Sequence, residues 1–277
     1  MDLAQWIESN HSMFTHLSNE VWGYAELGYK EFESSKTLED ALEEAGFKLE
    51  RGVAEIPTAF VASYGNAAEP VIGILGEFDA LPGLSQDCVP YRNPLASGAP
   101  GHGCGHNLLG VAGLAAVMAV KQAMDAGEVK GTIRYYGCPA EEGGAGKAFM
   151  ANAGVFNDAD ICLTWHPDTF NGTLYANFLA NYRVTFKFHG KTAHAAADPF
   201  NGRSALDAVE LMNVGVNYLR EHMIPDARVH YVTINGGGIA LTWCLILQSR
   251  YTASAPRAPI SLTRCSSASK ILQKARH

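Results

Sequence analysis

Charge is scarce in this chain of 277 residues: only 18% of positions are Asp, Glu, Lys or Arg. Basic residues are the minority (21 against 28 acidic, formal net charge −7), which argues against a nucleic acid as the main partner. No long apolar run is present. The longest, Leu108 to Val120, is too short to span a bilayer and reads as a buried helix, so no membrane association is expected. The start, Met1-Asp2-Leu3, lacks the basic and apolar segments of a leader. Six cysteines (88, 104, 138, 162, 244 and 265) lack framework spacing, which suits a reduced, cytoplasmic setting. Internal repeats and low-complexity segments are also absent. What remains is a composition 47% hydrophobic, enough for a true core in one large or two medium domains.

Along the chain, Trp6, Met13, Leu17 and Val21 sit at helical spacing. Ser34-Ser35-Lys36-Thr37, followed by Leu38, Leu42 and Ala45, predicts a second helix closed by Gly46. Strands are expected at 59–62 and 71–75, the second apolar on both faces and so covered by helices. Asn107 reads as the N-cap of an apolar helix ending near Gly127. A strand at 132–136, a helix at 145–153 and a strand at 161–164 follow. Alternating strands and helices predict an α/β sheet, partly parallel. Near residue 175 the texture changes. Tyr182 to Phe188 alternates strictly, then a helix at 204–221 and a strand at 229–234 suggest a smaller α+β unit.

Active sites of α/β sheets gather outside the carboxyl ends of strands. Here those ends carry Glu77-Phe78-Asp79, Glu141-Glu142-Gly143-Gly144 and His166, and Gly101-His102-Gly103-Cys104-Gly105-His106 opens the apolar helix. Cys, His and Glu are metal ligands, and the mixture suits zinc or manganese. Each element alone has a plainer reading. Cys104 and His106 could be loop residues allowed by glycine neighbours, Glu141-Glu142 solvated surface charge, His166 a structural histidine, Asp79 a turn cap and His102 a spacer. Residues two apart in an extended loop can nonetheless reach one site, and adjacent carboxylates can divide metal binding from proton transfer. Cys104 with His106 as base is the alternative of a cysteine nucleophile. His194, after the alternating strand, is either a surface histidine or a donor to a developing oxyanion.

Taken together, the segments 76–86, 101–107, 140–144 and 165–167 resemble the co-catalytic metallopeptidase superfamily of aminoacylases and carboxypeptidases, in its amidohydrolase branch. Ala25-Glu26-Leu27-Gly28-Tyr29 and Glu33-Ser34-Ser35-Lys36 match that family's amino-terminal helices, and the similarity runs from residue 1 to about 240. The resemblance implies a zinc-peptidase-like three-layer α/β catalytic domain (residues 1–175) and a small α+β, ferredoxin-like dimerisation lid (176–240). It makes Cys104, His106, Glu142 and His166 ligands of two divalent ions, Zn or Mn. Glu141 becomes the general base, Asp79 the carboxylate that orients a ligand, and His194 a lid residue reaching a partner's active site across a dimer. The implied reaction is hydrolysis of an amide in an N-acyl amino acid or dipeptide, p-aminobenzoyl-glutamate-like or β-alanyl-dipeptide-like. The implied assembly is a homodimer or a pair with a related subunit.

The tail, residues 241–277, departs from that pattern. It holds six basic residues and no acid; the last acidic residue is Asp226. The family's final metal-binding histidine has no match in it, and His277 belongs to no motif. One permitted coding of residues 240–249, read from its third base, gives Pro-Asn-Val-Val-Pro-Asp-Ser-Ala-Glu, whose first six residues are what relatives would continue with. A frameshift at Ala240 is therefore expected, with the carboxy-terminal part of the catalytic domain missing, uncovered apolar faces and weak or no turnover. A catalytically inactive dimerisation or binding remnant is the alternative from another class, and metal content separates the two.

Overall fold

The computed structural model describes residues 2–66, 70–173 and 180–235, and the backbone of 247–255. The chain divides into two compact units, Met1–Asn171 and Gly172–His277.

The first unit opens with three helices, α1 (Leu3–Ser9), α2 (His11–Tyr24) and α3 (Phe32–Glu44). The Asp2 carboxylate caps α1 by accepting from the Gln5 N–H at 3.1 Å. Strands β1 (Lys48–Arg51), β2 (Phe60–Gly65), β3 (Val71–Glu77), β4 (Thr132–Cys138) and β5 (Ile161–Leu163) form one sheet in the order β1-β2-β4-β3-β5. β3 runs parallel to β4 and β5, whereas β1–β2 and β2–β4 are antiparallel. The mixed α/β sheet matches the sequence-based expectation. β1 lies outside the expected strands: Lys48-Leu49-Glu50-Arg51 has too little apolar content to signal one, and pairing with β2 makes it one.

Alternation along the strands builds two cores. Phe60, Ala62, Ile133 and Tyr135 face helices α2, α3 and α4 (His106–Asp125), joining Leu17, Val21, Leu38, Leu42, Leu114 and Val117. Val61, Tyr136 and Cys138 face the other side, against Val53, Ile56 and Met150 of α6 (Gly146–Asn152). Each fully buried Leu or Phe contributes about 1.5–3 kcal/mol relative to exposure. Covering of the sheet on both faces is the three-layer arrangement.

Helix α4 is longer than the apolar run that marks it. Its 20 residues are long and apolar enough to cross a membrane, yet 61% of its best window is buried inside the unit, as in a core helix. Its cap differs from expectation. Gly105, left-handed at φ 76°, precedes the helix, and Asn107 lies buried in the first turn, donating to the Ser18 hydroxyl at 3.1 Å. Glycine takes that left-handed angle without the steric cost of a side chain. The helix expected at 145–153 is α6, and a short turn, α5 (Glu141–Gly144), precedes it. Left-handed Ala140 (φ 56°) and Ala145 (φ 59°) bracket that turn.

The second unit contains β6 (Ala180–Phe188), α7 (Ala205–Arg220), β7 (Arg228–Asn235) and β8 (Leu247–Ala255). Ser204 caps α7 by accepting from the Asp207 N–H. Val209, Met212 and Val216 of α7 are buried, Met212 and Val216 in a cluster with Val229 of β7. The sheet order is β6-β8-β7, all antiparallel. Nine residues of the tail thus supply the central strand's backbone; the rest of residues 236–277, including the expected frameshift point at Ala240, lies outside the described residues.

Candidate metal centre

The parallel strands β3 and β4 end side by side, with Glu77 opposite Cys138. Side chains that follow these ends therefore emerge on one edge of the sheet. Helix α4 starts over the same edge because it can approach closely. A Cβ on Gly110 would lie 2.6 Å from the Glu77 carbonyl oxygen, and the Gly110 carbonyl accepts from the Tyr135 hydroxyl at 3.0 Å. Seating Gly110 there places His106, one turn earlier, over Glu77 and Asp79.

His106 is fully buried. Its Nδ1 lies 3.0 Å from both the Oδ1 and the backbone oxygen of Asp79, while its Nε2 faces Glu77 Oε2 at 3.1 Å and Glu141 Oε2 at 3.9 Å. Burial pushes the imidazole pKa down, but the Asp79 hydrogen bond and the charges of Asp79, Glu77 and Glu142 outweigh it and leave it raised. Asp79 shows the converse. Burial raises it, and the bonds from His106 and from the Glu142 N–H (2.8 Å) bring it below the usual carboxylate range.

Cys104 Sγ lies 3.2 Å from His166 Nε2, and the rings of His106 and His166 meet edge to face at 5.9 Å. The Glu142 carboxylate hydrogen-bonds with the Cys104 thiol. Burial, then that bond, then the charges of Glu142, Glu141 and Glu77 push the thiol up to about 12. Without a cation Cys104 is thus a neutral thiol, a poor nucleophile; a cation would reverse the balance. Glu141 is the more open carboxylate, its side chain 42% exposed. Burial and then the Glu77 charge raise its pKa, against the pull of Lys147.

Cys104, His106 and His166 place three ligand atoms within 4.8 Å of one another, and so do Glu77, His106 and Glu141. Among the described residues, five buried side-chain polar atoms lack a hydrogen-bond partner, and three belong here: Glu77 Oε2, His106 Nε2 and Glu142 Oε1. Leaving such atoms unmatched costs about 1–3 kcal/mol each. A cation among them is the group their chemistry fits.

Of the residues the sequence singled out, Asp79, Cys104, His106, Glu141, Glu142 and His166 converge on this edge. As base for a cysteine nucleophile, His106 is replaced by His166, because Asp79 and Glu77 flank the His106 ring. His194 lies in the second unit. Its Nδ1 accepts from the Ala196 and Ala197 N–H groups, both at 3.2 Å, leaving the neutral ring's proton on Nε2 as a donor.

Three other residues were assigned no metal-binding or catalytic role from the sequence. Glu77 sits in the cluster with its Oε1 on Lys147 Nζ at 2.5 Å. Buried His102 ties the loop to α2 through Nε2 and the Val21 carbonyl at 2.9 Å. Glu31, fully buried, accepts from the Ala140 N–H at 2.8 Å and the Thr58 hydroxyl at 3.0 Å. The one available signal was Glu77's place at a strand end beside Asp79.

Residues 73–230 match the family model described as peptidase family M20/M25/M40. The chain is 49% identical over 235 residues to the B-type subunit of p-aminobenzoyl-glutamate hydrolase from Escherichia coli, an alignment covering 84% of this chain and 49% of that protein. It is 34% identical over 246 residues to the Xaa-Arg dipeptidase of Mus musculus, covering 84% and 53%. The chain thus spans about half the length of these curated relatives. A solved Bacillus subtilis structure, described as a dinuclear metal-binding peptidase of the M20 family, superposes with a TM-score of 0.60 at 22% identity, covering 95% of this chain and 70% of that one.

Proposed function

This chain belongs to peptidase family M20/M25/M40, and from that premise we propose that it carries a metal-dependent centre for hydrolysing an amide bond in an N-acyl amino acid or dipeptide. The observation that carries the reading is the convergence of Cys104, His106, Glu142 and His166 beside buried, unmatched polar atoms. These four would hold two divalent ions, zinc or manganese. When bound, the ions polarise the amide carbonyl and acidify the attacking water.

The chain's own groups do the rest. Asp79 holds His106 through Nδ1, turning Nε2 toward the cluster. Glu141, raised and accessible, takes the proton of the attacking water and passes it to the leaving amine nitrogen. His194, with Nε2–H free to donate, supports the carbonyl oxygen as it gains charge, delivered from a second copy or a related subunit. A relative whose name makes it one of a hydrolase's subunits supports such pairing. The names of the two relatives point to acyl-glutamate or Xaa-Arg substrates.

A second reading is a cysteine hydrolase, favoured by the 3.2 Å contact of Cys104 with His166. The raised Cys104 pKa stands against it. The test is a hydrolysis screen of p-aminobenzoyl-glutamate and Xaa-Arg dipeptides with Mn2+ or Zn2+, beside metal analysis. Bound metal, turnover lost to chelator and a roughly 10²–10⁴-fold drop in Glu141→Gln are expected. Chelator-resistant turnover abolished in Cys104→Ser would replace this reading by the cysteine one. Absence of bound metal together with absence of turnover would leave a non-catalytic remnant.

A further inference from the structure

His106 has two ring nitrogens, and Asp79 occupies Nδ1. Nε2 is buried and has no hydrogen-bond partner, although Glu77 Oε2 lies only 3.1 Å away. That oxygen is likewise buried and unmatched. The pair is close enough for charge attraction but lacks the angle of a hydrogen bond. The Glu77 side chain is 8% exposed, and Lys147 holds its other oxygen, so it is fixed in place rather than wandering. Glu141 Oε2 approaches the same nitrogen at 3.9 Å. An imidazole nitrogen and a carboxylate oxygen, both desolvated and facing one point without satisfying each other, are the pattern two ligands make around a shared ion.

We propose that Glu77 is a further ligand, through Oε2, of the cation held by His106 Nε2, with Lys147 occupying Oε1 and limiting Glu77 to one oxygen. This rests on the metal centre proposed above and adds a carboxylate outside the set Cys104, His106, Glu142 and His166. Lys147 also offsets part of the negative charge that Glu77, Glu141 and Glu142 gather.

The test uses the full chain, stripped with chelator and titrated calorimetrically with Mn2+. Co2+ loading is followed by visible absorption, which reports coordination number and geometry. Glu77→Gln keeps the side chain's size and an acceptor for Lys147 but offers an amide where Oε2 stood. With a metal-free melting temperature like that of the unsubstituted chain, it should bind at least about 10-fold more weakly and show an altered Co2+ spectrum. Lys147→Met should retain binding, with a Co2+ spectrum that shifts as the second Glu77 oxygen is released. Unchanged affinity and spectrum in Glu77→Gln would overturn the assignment. So would equal loss in Lys147→Met, which would make the ion pair, not ligation, the contribution. Should Glu77→Gln melt earlier, Glu77→Asp decides: restored affinity with a distinct Co2+ spectrum supports ligation, and no recovery overturns it. If the unsubstituted chain binds no metal, the centre itself fails, and the failure appears in that arm.

Discussion

Glu31 shows how one buried carboxylate can support a site it never enters. It is fully buried, and burial raises its pKa despite the Ala140 and Thr58 bonds that favour the charged form. Its Ala140 bond fixes one end of the Glu141–Gly144 turn, and the Tyr29 hydroxyl fixes the other by donating to the Gly144 carbonyl at 2.5 Å. A native pKa above the unfolded one means the folded state binds this proton more readily. The associated stability is present in full below the ordinary carboxylate pKa and is lost as pH rises through the raised value. Melting temperatures between about pH 4 and pH 7 should therefore fall with a shallower slope in Glu31→Gln than in the unsubstituted chain. Identical slopes would refute this. Nothing local in Lys30-Glu31-Phe32 signals the role, because the decisive partner lies 109 positions away. Cys104 and His106, two apart among glycines, were legible for the opposite reason.

Among elements, α4 sets the geometry of the centre. In most helix interiors, replacing Gly by Ala stabilises by roughly 0.5–1 kcal/mol. Gly23 in α2 has nothing within 4 Å of a Cβ and should follow that rule. Gly110 should reverse it, because its Cβ would meet the backbone oxygen of Glu77 at 2.6 Å. Gly110→Ala is expected to cost about 1–3 kcal/mol in denaturant unfolding and to weaken metal binding by shifting His106. Gains of the same sign at both positions would show that close seating of α4 is unimportant. The apolar pattern announces α4 itself, but the cap lies at Gly105 rather than Asn107, whose side chain instead bonds to Ser18 of α2. Capping residues and buried amides look alike in a sequence.

At the scale of the molecule, the first unit leaves an apolar face open. Among the described residues β5 pairs only with β3, and Ile161 and Leu163 are 52% and 53% exposed. Beside them a groove is lined by Ile74, Ala112, Gly113, Ala116, Leu163 and Trp165. Exposed edges and apolar patches of this kind promote association. Ile161→Lys combined with Leu163→Lys should lower the mass measured by light scattering without lowering the melting temperature. An unchanged mass would show that this face does not drive association.

Hydrophobic period, breaker residues and motif spacing settled much of this protein in advance: a mixed α/β sheet, a smaller α+β unit, and a cluster of Cys, His and Glu at strand ends. Those are local patterns, set by neighbours within a turn or a pleat. Pairing of β1, the seating of α4 on Gly110, and the roles of Glu31 and Glu77 were decided only when distant segments met. Burial sets whether a carboxylate's charge is costly or useful, and burial belongs to the folded chain, not to any stretch of its sequence.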